Sequence, residues 1–341
     1  MKKNSSQKIN QTDTKISVII AAKNEEENIL NLIDTLSNQD YDKNLFEVII
    51  VDDNSTDKTY ETACSQITGK ENFSVLKAES KPFPGKKGAL TIGIKKAKND
   101  FIMITDADCL PEKNWIKSFS SLFSQCYDFV FGIAPLIQNS SSLKKNWVSK
   151  LSCFENLRTH LLTFSFAGVS LAYSAAARSF GFKKSSFEKI NGYSNTLETL
   201  SGDDDLLLRE AIKNKMKIGV VTEKDSFVYS YPENNLKDYL KQKARHTQTS
   251  LHYLPVHKIL LGFWHLINLI FLFSPFLVFF HPAFIFFFLL KIIMDVIVVS
   301  SIQKKFGYCF KLLSIIIMQI LYEIFLIVNF LNALKGKNEW K

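Results

Sequence analysis

The chain has 341 residues, of which 46% are hydrophobic and 22% charged, and its formal net charge is +9. This composition excludes a disordered chain and a collagen-like chain, and the length exceeds that of one average domain. Of the 29 phenylalanines, 14 lie in the last 83 residues, which contain only seven Lys or Arg and three Asp or Glu. The sequence therefore predicts a polar, mildly basic part followed by an apolar part with a different environment.

The positive charge is spread along the chain as single and paired lysines. Nucleic-acid-binding proteins concentrate such charge on one face, so anionic lipid is the expected partner and no nucleic acid is expected. Five cysteines without a CxxC spacing argue against a disulfide framework and a zinc site, and favour a reducing cytoplasm. Residues Met1–Lys15 are polar and lack the apolar core of a signal peptide, which predicts that the polar part stays inside the cell.

Short, β-branched apolar runs alternate with amphipathic stretches in the first part of the chain. Strands are expected at Ile16–Ala21, Phe46–Val51, Phe73–Lys77 and Phe101–Thr105. The helices between them are expected at Glu26–Asn38, Asp57–Gln66 and Lys86–Ala97. This order predicts an α/β fold with an open, doubly wound, mostly parallel sheet. No expected strand is followed by the glycine-rich motif of a dinucleotide site or of a P-loop, so the sequence predicts neither kind of site.

The middle of the chain, from Pro111 to Lys258, has a less regular pattern. Helices are expected at Asn114–Phe123, Ser185–Ile190 and Leu206–Lys215, and strands at Asp128–Ile133 and Ile218–Val221. The stretch Leu236–Leu254 is amphipathic and basic. It suits a helix on a membrane surface, and equally an ordinary helix with one solvated face.

Three apolar stretches follow, each close to the ~20 residues that a helix needs to cross a bilayer. They are Ile259–Phe280, Ala283–Ser300 and Leu312–Leu331. Three spans and a cytoplasmic N-terminus place Lys304 and Lys305 inside, as the positive-inside rule prefers, but also place Lys335 outside, so two or three spans are expected. Lys291 and Asp295, one helical turn apart, can neutralise each other, and Glu323 is expected to face protein rather than lipid.

Polar clusters directly follow three of the expected strands. They are Ala22-Lys23-Asn24-Glu25, Asp52-Asp53-Asn54-Ser55-Thr56-Asp57 and Asp106-Ala107-Asp108. Each cluster alone is common as a turn or helix cap. Together they indicate a site, because ligands of open α/β sheets bind at the carboxyl ends of the strands.

Asp106 and Asp108 alternate along an extended segment, so their carboxylates can point to the same side. Two such acids repel each other unless a cation lies between them. A few hard oxygen ligands suit Mg²⁺ or Mn²⁺ held jointly with substrate phosphates, which is the chemistry of a nucleotide-diphosphate site.

A third acidic segment, Asp203-Asp204-Asp205, precedes the expected helix at Leu206. Acids at a helix start interact favourably with the helix dipole, which accounts for at least one of them. Crowding of three carboxylates raises the pKa of one member, and such a group can accept a proton.

The order and spacing of these segments resemble the motifs of family 2 glycosyltransferases, which are inverting, metal-dependent enzymes with the A-type nucleotide-sugar fold. The resemblance covers about Lys15 to Thr247 and is carried by Ser17–Asn28 (SVIIAAKNEEEN), Val51–Thr59 (VDDNSTDKT), Gly85–Leu90 (GKKGAL), Thr105–Asp108 (TDAD), Ser201–Arg209 (SGDDDLLLR) and Gln242–His246 (QKARH). Gly168–Tyr193 is also similar to the segment that this family places between the metal and acceptor motifs.

The resemblance implies a role for individual residues. Ala22 and Glu25 would flank the nucleotide, Asp52 or Asp53 would contact the base, and Lys86 would lie near the nucleotide. Asp106 and Asp108 would hold the metal and the diphosphate, and Asp203 or Asp204 would deprotonate the acceptor hydroxyl. Asp205, Gln242 and Arg245 would shape the acceptor and diphosphate side. His246 stands where the family usually has Trp, which removes a ring on which a sugar could stack.

We therefore expect a membrane-anchored glycosyltransferase that uses a nucleotide-diphosphate sugar, most readily a UDP-sugar, and a lipid or glycan acceptor. The expected organisation is a polar leader (1–14), a catalytic domain (15–235), an interface helix (236–257), a transmembrane region (258–334) and a basic tail (335–341). The expected location is the inner or plasma membrane, as a multi-pass protein with a cytoplasmic catalytic domain. The alternatives are a processive polysaccharide synthase, a nucleotidyltransferase and a non-catalytic membrane binding module.

Overall fold

The computed structural model describes residues 14–138 and 146–335, and within them the chain forms two compact units. The first unit contains residues 14–134 and 163–231. The second contains residues 135–138, 146–162 and 232–335. The division of the sequence into a catalytic domain, an interface helix and a transmembrane region stays a prediction.

The first unit alternates strands and helices, as its pattern of apolar residues predicts. Its strands are β1 (Ile16–Ala22), β2 (Phe46–Asp52), β3 (Phe73–Lys77), β4 (Phe101–Asp106), β5 (Cys109–Pro111), β6 (Phe129–Gly132), β7 (Phe180–Lys183), β8 (Ile218–Val221) and β9 (Val228–Ser230). Its helices are α1 (Ile29–Ser37), α2 (Thr59–Gln66), α3 (Gly85–Lys96), α4 (Trp115–Phe123), α6 (Lys184–Lys189) and α7 (Asp205–Lys213), and it shares α5 (Trp147–Gly168) with the second unit.

Seven strands form one sheet in the order β3-β2-β1-β4-β7-β6-β8. Neighbouring strands from β3 to β4 are parallel, β7 is antiparallel to both of its neighbours, and β6 and β8 are parallel. The predicted α/β fold with an open, mostly parallel sheet is confirmed. The two remaining strands, β5 and β9, form a small antiparallel pair.

Helices cover both faces of the large sheet. Val18 and Ile20 of β1 pack with α1 and α4 in one buried cluster, whereas Ile19 packs with α3 in another. This alternation follows from strand geometry, because successive side chains point to opposite faces. Burial on both faces explains why β1, β2 and β4 read as continuous apolar runs.

The register of the sheet places the ends of three strands at one edge. Ala22, the last residue of β1, lies opposite Asp52 of β2, and Ala21 lies opposite Asp106 of β4. The polar segments that follow these strands therefore begin at the same edge of the sheet. This is the arrangement that the clusters in the sequence predict.

The second unit is helical. Besides residues 147–162 of α5, it contains α8 (Leu236–Ser250), α9 (Pro255–Phe273), α10 (Ala283–Ile302) and α11 (Leu312–Lys335). Three segments of the described chain are long and apolar enough to cross a membrane: Pro255–Leu277, Ala283–Phe306 and Leu312–Leu334. Many of their apolar side chains are strongly exposed, as Phe276 shows with 72% of its surface accessible.

A cluster of four charged side chains, here called the ion network, lies buried in this unit. It consists of Arg158 on α5, Lys291 and Asp295 on α10, and Glu323 on α11. Lys291 Nζ lies 2.6 Å from Asp295 Oδ2 and 3.3 Å from Glu323 Oε1, and Arg158 Nη2 lies 3.4 Å from Asp295 Oδ1. Glu323 is only 1% exposed, which agrees with the prediction that it faces protein.

Several elements differ from the sequence-based expectations, among them strands β5, β7 and β9, which the pattern did not predict. The middle of the chain contains α5, a helix of 22 residues that the pattern did not predict. Its apolar residues lack a single stripe because several sides are buried, and Leu151, Phe154 and Leu157 are all covered. Helix α8 ends at Ser250 rather than at Leu254, because Pro255 begins α9 and fixes a break before it.

Candidate active site

The end of β4 presents two carboxylates, as the alternation of Asp106 and Asp108 predicts. Ligand atoms of Asp106, Asp108 and the adjacent Cys109 all lie within 4.8 Å of one another. The Asp106 side chain keeps 30% of its surface accessible, whereas Cys109 is fully buried. The turn between β4 and β5 thus brings acids to the sheet edge over a buried thiol.

The residues of this turn fit a divalent cation of the Mg²⁺ or Mn²⁺ kind. Burial and the charges of Asp108 and Asp106 raise the pKa of the Cys109 thiol, which donates a hydrogen bond to Asp108 Oδ1 at 3.5 Å. A protonated thiol is a poor ligand, and hard cations prefer carboxylate oxygens. Asp106 and Asp108 are therefore the residues that would hold a cation here.

Lys86 connects β4 to the acidic segment before α7. It stands in the first turn of α3, is 5% exposed, and its Nζ lies 2.6 Å from Asp106 Oδ1 and 2.6 Å from Asp203 Oδ2. Three elements that are distant in sequence therefore meet at one ammonium group. The residues Lys86, Asp106, Asp108 and Asp203 are called the acid cluster below.

Glycine is required at the start of α3, because a loop crosses the helix closely there. A Cβ at Gly88 would overlap the carbonyl oxygen of Phe83 and would lie 2.8 Å from the Cβ of Lys81. The segment before the helix can therefore fold back over it only where no side chain is present. This explains the glycine two residues after Lys86.

The three acids before α7 have different partners. Asp204 accepts backbone hydrogen bonds from Asp205 and Ala177, both at 2.7 Å, and is the N-cap of α7. Asp205 accepts from Ser174 Oγ at 2.7 Å and from the Ala175 amide at 3.1 Å. Asp203 instead faces the Lys86 ammonium.

These surroundings separate the pKa values of the two candidate bases. Burial alone would raise the pKa of Asp203, but the Lys86 ammonium outweighs it and holds that pKa below its usual value. Burial, together with the charges of Asp205 and Asp203, raises the pKa of Asp204 well above its usual value. Asp203 therefore stays ionised to a lower pH than Asp204 does.

The end of β2 supplies two further buried acids. Asp53 is paired with Lys81, whose Nζ lies 2.5 Å from Asp53 Oδ1, and Asp52 Oδ2 accepts a long bond from the Ser55 amide at 3.4 Å. Among the described residues, Asp52 Oδ1 and Asp53 Oδ2 are buried without a hydrogen-bond partner. Buried oxygens in this state are free to accept hydrogen bonds from a ligand.

Ala22 and Glu25 lie at the same edge, at the end of β1. Ala22 is buried at the last position of the strand, where a larger side chain would be excluded. The Glu25 amide donates to Thr59 Oγ1 at 2.7 Å, and its carboxylate accepts from Asn28 Nδ2 at 2.8 Å. These bonds give Glu25 a part in fixing the loop after β1.

Gln242 and Arg245 belong to α8 in the second unit. The Gln242 side chain donates to Glu233 Oε1 at 3.2 Å. The assignment of both residues to the acceptor and diphosphate side stays a prediction.

Sequence reasoning missed Lys81 and Tyr193. Lys81 follows β3 at the same edge as the predicted acids, so the rule that selected those acids would also have selected it. The Tyr193 hydroxyl is fully buried, and no hydrogen-bond partner for it exists among the described residues. Tyr193 ends the segment Gly168–Tyr193 that resembles the family, but its burial depends on the packing of Phe187 against it, which the sequence does not reveal.

The sheet order and the acid cluster are those of the A-type nucleotide-sugar fold. The family described as "Glycosyl transferase family 2" matches residues 17–190, about half of the chain. The chain belongs to this family, as the motifs indicated.

Individual relatives match shorter segments. The chain is 36% identical over 103 residues to a dolichyl N-acetyl-alpha-D-glucosaminyl phosphate 3-beta-D-2,3-diacetamido-2,3-dideoxy-beta-D-glucuronosyltransferase of Methanococcus voltae, covering 30% of this chain and 32% of the relative. It is 33% identical over 110 residues to a beta-monoglucosyldiacylglycerol synthase of Nostoc sp., covering 32% of this chain and 24% of the relative. The matched segment thus spans about a third or less of these relatives.

One solved structure is similar along nearly the whole chain. It is the mannosyltransferase PcManGT from Pyrobaculum calidifontis, described in complex with GDP-Man and Mn²⁺. The TM-score is 0.57 at 15% identity, and the match covers 97% of this chain and 91% of that one. At this identity the likeness concerns the fold.

Proposed function

We propose that the protein transfers a sugar, with inversion, from a nucleotide-diphosphate sugar to a hydroxyl group of a lipid or lipid-linked acceptor at the membrane surface. One observation carries the proposal: the Nζ of Lys86 lies 2.6 Å from a carboxylate oxygen of Asp106 and 2.6 Å from one of Asp203. The three residues come from three separate elements and lie at the carboxyl edge of the sheet. In open α/β folds this edge is where ligands bind.

The proposed donor is a UDP-sugar. The buried oxygens Asp52 Oδ1 and Asp53 Oδ2 can accept a hydrogen bond from the ring N–H of a uracil base, and the contact with Lys81 orients Asp53. Ala22, opposite Asp52 in the sheet, has only a methyl side chain. Asp106 and Asp108 would hold Mg²⁺ or Mn²⁺, which when bound neutralises the charge that develops on the leaving diphosphate.

Asp203 is the proposed general base. Its carboxylate would take the proton of the acceptor hydroxyl while the hydroxyl oxygen forms a bond to the anomeric carbon. The bond from that carbon to the nucleoside diphosphate breaks on the opposite side, and the electron pair leaves with the diphosphate. Asp204 and Asp205 support this role indirectly, since their bonds to backbone amides fix the segment in which Asp203 stands.

The lipid acceptor is proposed from the second unit and from the relatives. Three helices suited to a membrane follow the catalytic unit in sequence. The names of the two relatives describe a dolichyl N-acetyl-alpha-D-glucosaminyl phosphate as the substrate and a beta-monoglucosyldiacylglycerol as the product. A cytoplasmic position of the first unit is part of the proposal and is supported by Lys304 and Lys305 between the last two apolar helices.

The test uses the full chain in nanodiscs that contain a total lipid extract. Radiolabelled UDP-, GDP- and dTDP-sugars are supplied with Mn²⁺, and label is measured separately in the organic phase, in water-soluble glycans and as free sugar. We expect label from a UDP-sugar in the organic phase, and its loss in the double variant Asp106→Asn with Asp108→Asn. Label confined to water-soluble chains would reject the lipid acceptor, and release of pyrophosphate would indicate a nucleotidyltransferase instead.

A further inference from the structure

We infer that Lys86 is a positioning residue that keeps a divalent cation from Asp106 until a nucleoside diphosphate is bound. The inference rests on the proposed function and adds an order of binding to it. The positively charged ammonium group of Lys86 lies between Asp106 and Asp203 and contacts both.

The geometry makes Lys86 a direct competitor of a cation. Lys86 Nζ lies 2.6 Å from Asp106 Oδ1, so this oxygen already has a charged partner. A divalent cation on Asp106 would lie a few ångströms from the ammonium, and like charges at such distances repel strongly in a buried setting. Lys86 cannot swing into solvent easily, because its side chain is 6% exposed.

The charge balance explains why the competition is incomplete. Lys86 contacts one oxygen of Asp106 and one of Asp203, and Asp108 offers a second carboxylate within 4.8 Å of Asp106, so the pair Asp106 and Asp108 can still attract a cation. A diphosphate offers the ammonium new acceptors and brings further negative charge. Once the ammonium bonds to the diphosphate, Asp106 becomes available, and cation and nucleotide therefore favour each other's binding.

Neighbouring lysines are placed differently. Lys87 Nζ donates to the backbone carbonyl groups of Thr196 and Thr199, and Lys81 pairs with Asp53. Lys81 is thus a matched control: an ammonium in contact with a buried carboxylate of the same unit, outside the acid cluster.

The experiment measures binding of Mn²⁺ alone to the full chain in nanodiscs, by the electron paramagnetic resonance signal of free Mn²⁺, without nucleotide and then with UDP or GDP. The double variant Asp106→Asn with Asp108→Asn defines the background. Wild type, Lys86→Met, Lys86→Arg and Lys81→Met are compared, and thermal melting checks that each is folded.

We expect Lys86→Met to bind Mn²⁺ about tenfold more tightly than wild type without nucleotide, and to lose most of the tightening that a nucleoside diphosphate causes in wild type. Lys86→Arg restores the charge and should bind weakly again, and Lys81→Met should bind Mn²⁺ as wild type does in the titration without nucleotide. A merely structural role for Lys86 would weaken metal binding in Lys86→Met, not strengthen it.

Equal or weaker Mn²⁺ binding in Lys86→Met overturns the inference, as does an equal gain in Lys81→Met. If the Lys86 variants do not fold, the wild-type titrations decide, because Mn²⁺ binding that is equally tight with and without nucleotide also overturns it. Failure of the proposed function is distinguishable: wild type would then transfer no sugar from any donor, whatever the order of Mn²⁺ affinities without nucleotide.

Discussion

The two units of the molecule each bury a group of charged side chains, and the two groups differ in balance. The ion network of the second unit contains two cations and two anions, and each charged group contacts at least one opposite charge. The acid cluster of the first unit contains three carboxylates around one ammonium. It lies at a sheet edge where Asp52 and Asp53 also keep oxygens without partners among the described residues.

Charged side chains in the ion network thus stabilise the fold, whereas those in the acid cluster are suited to binding a ligand. The ion network has equal numbers of opposite charges and connects α5, α10 and α11, although Glu323 Oε2 has no hydrogen-bond partner among the described residues. In the acid cluster, carboxylates that lie close together repel each other, and a cation or a hydrogen-bond donor offsets that repulsion. The following predictions test this distinction.

The largest effect is expected for Asp203→Asn. The amide cannot take a proton, so kcat should fall about a thousandfold while the melting temperature changes little. Asp204→Asn is the matched control, because it removes an acceptor of backbone amides and should cost about 1 kcal/mol of stability with a much smaller loss of kcat. Sugar transfer and thermal melting of both variants are measured, and a greater loss of kcat in Asp204→Asn would assign the base to Asp204.

A loss of stability without a direct loss of chemistry is expected for Lys291→Met. Asp295 would keep Arg158 as a charged partner, whereas Glu323 would lose its ion pair with Lys291, and breaking such a buried pair costs about 3 kcal/mol. Replacing both partners, Lys291→Met with Glu323→Leu, should recover most of this loss. Thermal inactivation in nanodiscs measures it, and a double variant no more stable than the single one would show that the network is not self-contained.

A moderate effect on donor binding is expected for Asp53→Asn. The amide retains the shape but loses the charge that Lys81 and a base N–H both contact, so KM for the donor should rise about tenfold with a smaller change in kcat. Initial rates at varied donor concentration provide the measurement. A fall in kcat at constant KM would place Asp53 in the chemical step rather than in donor recognition.

The smallest effect concerns the pH profile. Asp203 must be ionised to act, so turnover is lost as pH falls through its pKa, and the low pKa that Lys86 maintains extends activity to lower pH. In Lys86→Met burial is left to raise that pKa, and the acid limb of the residual kcat should move to higher pH. Lys86→Arg should keep the limb near its wild-type position, and an unmoved limb in Lys86→Met would show that another group controls it.

The sequence predicts the sheet because β1, β2 and β4 are almost entirely buried and are therefore continuous apolar runs. The acids at their ends follow from the rule for open sheets. It leaves Asp203 and Asp204 equivalent, since their difference comes from backbone amides of Ala177 and Asp205 and from a lysine more than a hundred residues away. It misses α5 and β7 for a similar reason. Their faces are buried by distant elements, so no single period marks them.

The assignment of residues 146–162 to the second unit has a consequence for how the chain is made. These residues leave the ribosome before residues 232–335 have been synthesised, so the apolar side of α5 stays exposed until the later helices are made. Phe154, for example, later packs 5.5 Å from the ring of Phe310. In a shortened chain that stops before Pro232, this apolar surface would stay exposed. We therefore expect such a chain to aggregate rather than to give a soluble enzyme.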